Sequence, residues 1–119
     1  SEAFATALQG GRKEPEHAIE TLLGRGPRIA GVTLGARGAI ASDGNRIVRQ
    51  PAFALETVDT TGAGDVFHGA FCVAWLERQS LQESMRFAAA AAALKCRQLG
   101  GRAGIPFRAE LDRFLKQKA

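Results

Sequence analysis

The sequence predicts an α/β fold: a parallel-sheet strand and an edge β-hairpin, with helices packed on the sheet. Three observations carry this. Apolar residues recur at helical spacing before residue 25 and again from Gly62 onward; a β-branched apolar run and two short apolar stretches lie between, over residues 28–49; and a glycine-rich loop at 59–65 opens directly into a helix. With 119 residues, 45% of them hydrophobic and 24% charged, the chain has the composition of one globular domain. A chain of this length buries roughly two thirds of its unfolded surface without staples or metals.

The first helix is expected over Glu2 to Leu8. Ser1 can cap it, Phe4 and Leu8 share a face, and Gly10-Gly11 ends it. A second begins at Glu14-Pro15, because proline suits the first helical position, and runs through Ile19, Leu22 and Leu23 to Gly24. Arg28 to Leu34 reads as a buried strand, Gly38 to Ser42 as another, and Asp43-Gly44-Asn45 as a turn into an edge strand at Arg46 to Arg49. From Gly62 a helix extends to Gln79. Ser80-Leu81-Gln82-Glu83 then announces a capping box, and the helix it opens carries six alanines, Ala88 to Ala93, which let another element approach closely. Gly100-Gly101 is expected to stop it, and Leu111, Phe114 and Leu115 mark a last helix.

Composition excludes several classes. The net charge of +4 resides in the tail: residues 1–93 hold nine Lys/Arg against ten Asp/Glu, residues 94–119 seven against two. No dense basic run and no tyrosine is present, so a base-stacking or groove-reading nucleic-acid surface is not expected. No apolar run is long enough to cross a bilayer. Cys72 and Cys96 make no disulfide framework and read as small buried core residues, which suits a reducing cytoplasm. His17 and His68 are too scattered to build a metal site with them.

The chemistry concentrates in Val58-Asp59-Thr60-Thr61-Gly62-Ala63-Gly64-Asp65. A small-residue loop entering a helix leaves the first helical N–H groups open, and with the positive end of the helix dipole they form an anion site. The segment is neither a Walker A loop, lacking Gly-Lys-Ser/Thr, nor a dinucleotide fingerprint, lacking the third glycine. Asp59 and Asp65 bracket it. Each could serve as a helix-end acid or cap; equally, a carboxylate beside an anion site can take a proton from a hydroxyl while the N–H groups hold a transferring phosphoryl group. Thr33-Leu34-Gly35-Ala36-Arg37-Gly38 ends a strand with Gly-x-x-Gly, where α/β proteins gather ligands.

These segments resemble one family. Asp59 to Asp65 with Gly69-Ala70 is similar to the C-terminal signature of the ribokinase-like (PfkB) carbohydrate kinases. Thr33 to Gly38 resembles the segment before it, and Arg86-Phe87-Ala88 through Gly104-Ile105-Pro106 the segment after it. The resemblance implies the C-terminal part of a three-layer, Rossmann-like domain, residues 1–119 being its nucleotide-binding and catalytic portion, without the sugar-binding and lid portion. It implies transfer of the ATP γ-phosphoryl group to a sugar hydroxyl, with Mg²⁺ entering with ATP. Asp65 would be the general base, Gly62, Ala63 and Gly64 the anion hole, and Thr33, Gly35 and Gly38 the lining along ATP. Asp59 and the carbonyls of Thr61, Lys95, Gln98 and Gly100 would hold a monovalent cation such as K⁺, with Arg102 adding charge nearby. Leu94-Lys95-Cys96 and Gly101 to Ile105 resemble ketose-type kinases such as ketohexokinase. The opening Ser1, the lone Met85 and the absent sugar motif lead to the expectation of an inactive fragment of a kinase that forms a homodimer. Two alternatives stand beside it: a stand-alone ATP-binding regulatory module, and a nucleoside or vitamin kinase of the same fold.

Overall fold

Period-two alternation along one central strand organises the molecule, which a computed structural model describes over all of residues 1–119. The elements run α1 (Glu2–Leu8), α2 (Pro15–Leu23), β1 (Ala30–Thr33), a 3₁₀ turn (Gly35–Arg37), β2 (Ala39–Ser42), β3 (Ile47–Gln50), α3 (Ala63–Leu76), α4 (Leu81–Lys95) and α5 (Arg108–Gln117). β2 is the middle strand, and all four of its residues are buried. Ile40 packs with Val32 and Ala30 against Ala5, Ala18 and Ile19 of α1 and α2. Its neighbours Ala39 and Ala41 face the other way and meet Val48, Leu81 and Met85. Successive side chains thus cover opposite faces, and the sheet lies between α1/α2 and α4. Beyond α4, a further core joins Ala74 of α3, Phe87, Ala90, Ala91 and Leu94 of α4, and Leu111 of α5.

The helix boundaries follow local chemistry. Ser1 Oγ accepts from the Phe4 N–H, Pro15 occupies the first turn of α2, and Gly24 closes it. At α4 the capping box is complete: the Glu83 N–H donates to Ser80 Oγ at 3.2 Å, and the Ser80 N–H donates to the Glu83 carboxylate at 2.9 Å. The β2–β3 turn is held by Asp43 Oδ1, which accepts from the N–H groups of Asn45 and Arg46, both at 2.9 Å.

Four expectations need correction. The strand at 30–33 has no parallel partner within this chain: β1 pairs antiparallel with β2, and β2 with β3. Only residues 34–38 join β1 to β2, far too few for the crossover that parallel strands require. β1 is also not buried throughout. As an edge strand covered on one face it alternates, with Gly31 exposed, and the buried strand is β2. α4 stops at Lys95 rather than at Gly100-Gly101, because the Cys96 carbonyl accepts the N–H groups of Val58 and Asp59 at 2.8 and 3.1 Å instead of continuing the helix. Finally, Cys96 is buried but Cys72 is exposed, on a stretch of α3 that nothing in this chain covers. No helix is long and apolar enough to cross a membrane.

Candidate active site

The site begins at Gly62. Its φ of 76° lies in the left-handed region, which favours glycine, and a Cβ there would also stand tightly against the Gly101 carbonyl, at 3.3 Å. This contact lays the loop before α3 against the loop after α4. Asp59 ties the two together. Its Oδ1 accepts from the Thr61 N–H at 2.9 Å and the Thr61 hydroxyl at 2.7 Å, and its Oδ2 accepts from the Gly100 N–H at 2.7 Å. Hydrogen bonds to the charged form, led by the Thr61 N–H and hydroxyl and then the Gly100 N–H, push the Asp59 carboxyl down to about 2, with the Lys95 charge adding to them. Lys95 itself is fully buried, and its Nζ donates to the Asp59 carbonyl at 2.9 Å.

The α3 N-terminus that this scaffold positions has no side-chain cap. The Ala63 N–H is spent on the Thr60 carbonyl and the Val66 N–H on Gly62, which leaves the Gly64 and Asp65 N–H groups without partners. Of the expected anion hole, Gly62 therefore shapes the turn and Gly64 offers a donor, while Ala63 is engaged in the turn itself. Asp65 is exposed and makes neither hydrogen bond nor ion pair. It stands with Thr61 and Gly62 at the wall of a cleft of about 660 Å³ whose lining is otherwise largely apolar, with Val66, Val73, Phe87 and Leu111 among it. Arg102 lines the same cleft, as does Arg108, whose guanidinium is tied to Glu77 at 2.7 Å and to Asp112 at 3.0 Å. A free carboxylate beside free N–H donors can receive a proton and a phosphate at adjacent points.

The other expected ligand segment lies apart from this cleft, since Thr33, Gly35 and Gly38 do not line it. Gly38 has a structural reason of its own: a Cβ there would fall 2.0 Å from the Gln50 carbonyl. Gly35, with φ of 61°, faces open space. What the sequence reading overlooked is the Lys95 side chain, considered only for its carbonyl. A single charge closing the apolar run Phe87 to Leu94 was the available signal.

Residues 2–108 match the pfkB family of carbohydrate kinases. The chain belongs to that family. Among its PfkB relatives, the ribokinase of Lactococcus lactis is 38% identical over 103 residues, which cover 87% of this chain and 34% of the relative. Arabidopsis thaliana ribokinase, solved with ribose and ATP, superposes with a TM-score of 0.89 at 35% identity, covering 97% of this chain and 39% of that one. An Escherichia coli protein assigned as a ribokinase II, solved with ATP and Mg²⁺, gives 0.82 at 28% identity, covering 89% and 34%. The chain thus spans about a third of the length of its relatives.

Proposed function

We propose that this chain carries the phosphate-receiving and proton-abstracting part of an ATP-dependent sugar kinase. The observation that supports it most directly is the exposed, unpartnered Asp65 in the first turn of α3, beside the open N–H groups of Gly64 and Asp65. A 14-residue helix with an uncapped N-terminus suits an anionic phosphate chain. In this reading the Asp65 carboxylate takes the proton from the acceptor hydroxyl as its oxygen attacks the γ-phosphorus, the bond from that phosphorus to the β–γ bridging oxygen breaks, and ADP leaves with the electron pair. The Gly64 and Asp65 N–H groups receive the charge that gathers on the transferring group. Gly62 sets the turn that aims them. Thr33, Gly35 and Gly38, which lie outside the cleft, would flank only the part of the nucleotide that reaches beyond it, and Arg102 adds positive charge at the cleft. Mg²⁺ bound with ATP supplies neutralisation of the phosphate charge. The acceptor is a small sugar, in keeping with the ribose held by the Arabidopsis relative.

The test is Asp65→Asn in the whole kinase that contains these residues. Removing the base and keeping the donors should lower kcat by about 10²- to 10⁴-fold while the Kd for ATP stays nearly constant. Unchanged kcat in that variant would refute the role. A panel of pentoses, hexoses and nucleosides assayed for ADP release identifies the acceptor class.

A further inference from the structure

Arg78 is the one residue other than glycine whose φ lies in the left-handed region, at 61°, and eight glycines hold the remaining positive-φ positions. A helix that ends as α3 does usually places glycine there, because a Cβ is strained in that conformation. Capping gives arginine no reason to stand in its place. The carbonyls of Val73, Trp75 and Ala74 already accept the N–H groups of Glu77, Arg78 and Gln79 at 3.1, 3.0 and 3.2 Å. The Arg78 guanidinium, exposed and without hydrogen bond or ion pair, lines a recess of about 420 Å³ together with Arg28, Trp75 and Gln79. Arg28 precedes Ile29, which packs with Phe71 of α3 against one core, and its guanidinium is likewise exposed and unpaired. The neighbouring acid, Glu77, is held by Arg108 at 2.7 Å. Two free cations thus share one recess, an arrangement that concentrates anions. Beside them the Trp75 indole stacks on Phe71, with ring centres 6.2 Å apart, and stays 40% exposed.

We propose that this recess binds a phosphate monoester borne on a ring, a sugar phosphate or a nucleoside monophosphate, with Arg28 and Arg78 on the phosphate and Trp75 against the ring. Guanidinium groups offer the paired donors that a phosphate dianion takes, and an indole face accepts a flat base or the C–H face of a sugar. The strained turn at Arg78 is then the cost of holding a second guanidinium at the recess. The recess is separate from the Asp65 cleft. Ten positions of α3 divide Asp65 from Trp75, about 15 Å at the helical rise, and Val73, which lines the cleft, lies on the opposite flank of the helix from Trp75. Binding here involves no catalysis, so the proposal stands or falls independently of the kinase reading.

Trp75 is the chain's one tryptophan, so its emission reports directly on this recess. Titrated into the unaltered chain, ribose 5-phosphate or AMP should change that emission saturably, with a Kd below about 1 mM, while ribose and adenosine leave it unchanged and inorganic phosphate binds more weakly. Whichever ester binds more tightly tells whether a sugar face or a base lies on the indole. Arg28→Gln and Arg78→Gly should each raise the Kd roughly tenfold or more, as loss of a charged hydrogen bond implies. Arg78→Gly should do so with its urea midpoint unchanged or raised, since glycine relieves the left-handed turn. Arg28 lies outside every helix and strand, so the Kd of Arg28→Gln decides if Arg78→Gly lowers stability instead. Emission that responds to neither ester overturns the proposal. So does inorganic phosphate, ribose or adenosine binding as tightly as the esters, or full affinity in Arg28→Gln.

Discussion

Two aspartates six positions apart have opposite fates. Asp59 gives its carboxylate to three donors and becomes a fastener, whereas Asp65 keeps its carboxylate free and exposed. The fastening has a pH signature. Because folding lowers the Asp59 pKa from an ordinary 3.8 to about 2, its stabilisation is complete above 3.8 and fades as pH falls toward 2. Urea unfolding of the unaltered chain and of Asp59→Asn should therefore differ by a constant amount above about pH 5 and converge only below about pH 2. A gap that stayed at its full size down to about pH 2 would assign the stabilisation to something other than charge. The sequence alone pointed to both residues through their loop, but not to which was fastener and which free. That distinction depends on the Gly100 N–H and on Lys95, which lie 41 and 36 residues from Asp59.

Helix starts were legible wherever the signal was a side chain reaching its own backbone. Ser1, Pro15 and the Ser80–Glu83 box all act over three residues or fewer, and each appears where the sequence put it. The end of α4 was not legible, because the Cys96 carbonyl that ends it is claimed by Val58 and Asp59 from another part of the chain. Strand burial failed for a similar reason: β1 is as apolar as β2, but only β2 has cover on both faces. The capping box makes α4 open to a direct test. Ser80→Ala removes one reciprocal bond and should cost about 1 kcal/mol, read as a lower denaturant midpoint at an unchanged slope. An unaltered midpoint would mean that burial of α4 against its neighbours overrides the cap.

Across the whole molecule, the three layers are well packed on the α4 side of the sheet, while α3 turns an apolar face outward. Val73 and Trp75 are exposed there, and Leu76 is 81% exposed. Cover of that size is usually met by more protein, and the chain matches only 34% of its Lactococcus lactis relative. Closure over an acceptor hydroxyl, which excludes water, is the step on which sugar-dependent turnover at the Asp65 cleft would depend. The 119-residue chain by itself is expected to bind ATP without sugar-stimulated ADP release in a coupled assay. Release that rose and saturated with added sugar would show that the acceptor site is complete in these residues.

The seam between the loop before α3 and the loop after α4 has a consequence for how the molecule assembles. Its ties, Asp59 to Lys95, Asp59 to Gly100 and Gly62 against Gly101, are all distant in sequence. None can form while the chain is merely locally helical, because each needs a long loop closed first. The turn at Gly62 is therefore expected to form late in folding, once α4 has docked. A nucleotide that binds there recognises the finished arrangement and not its parts, so its binding energy becomes resistance to unfolding of the entire chain.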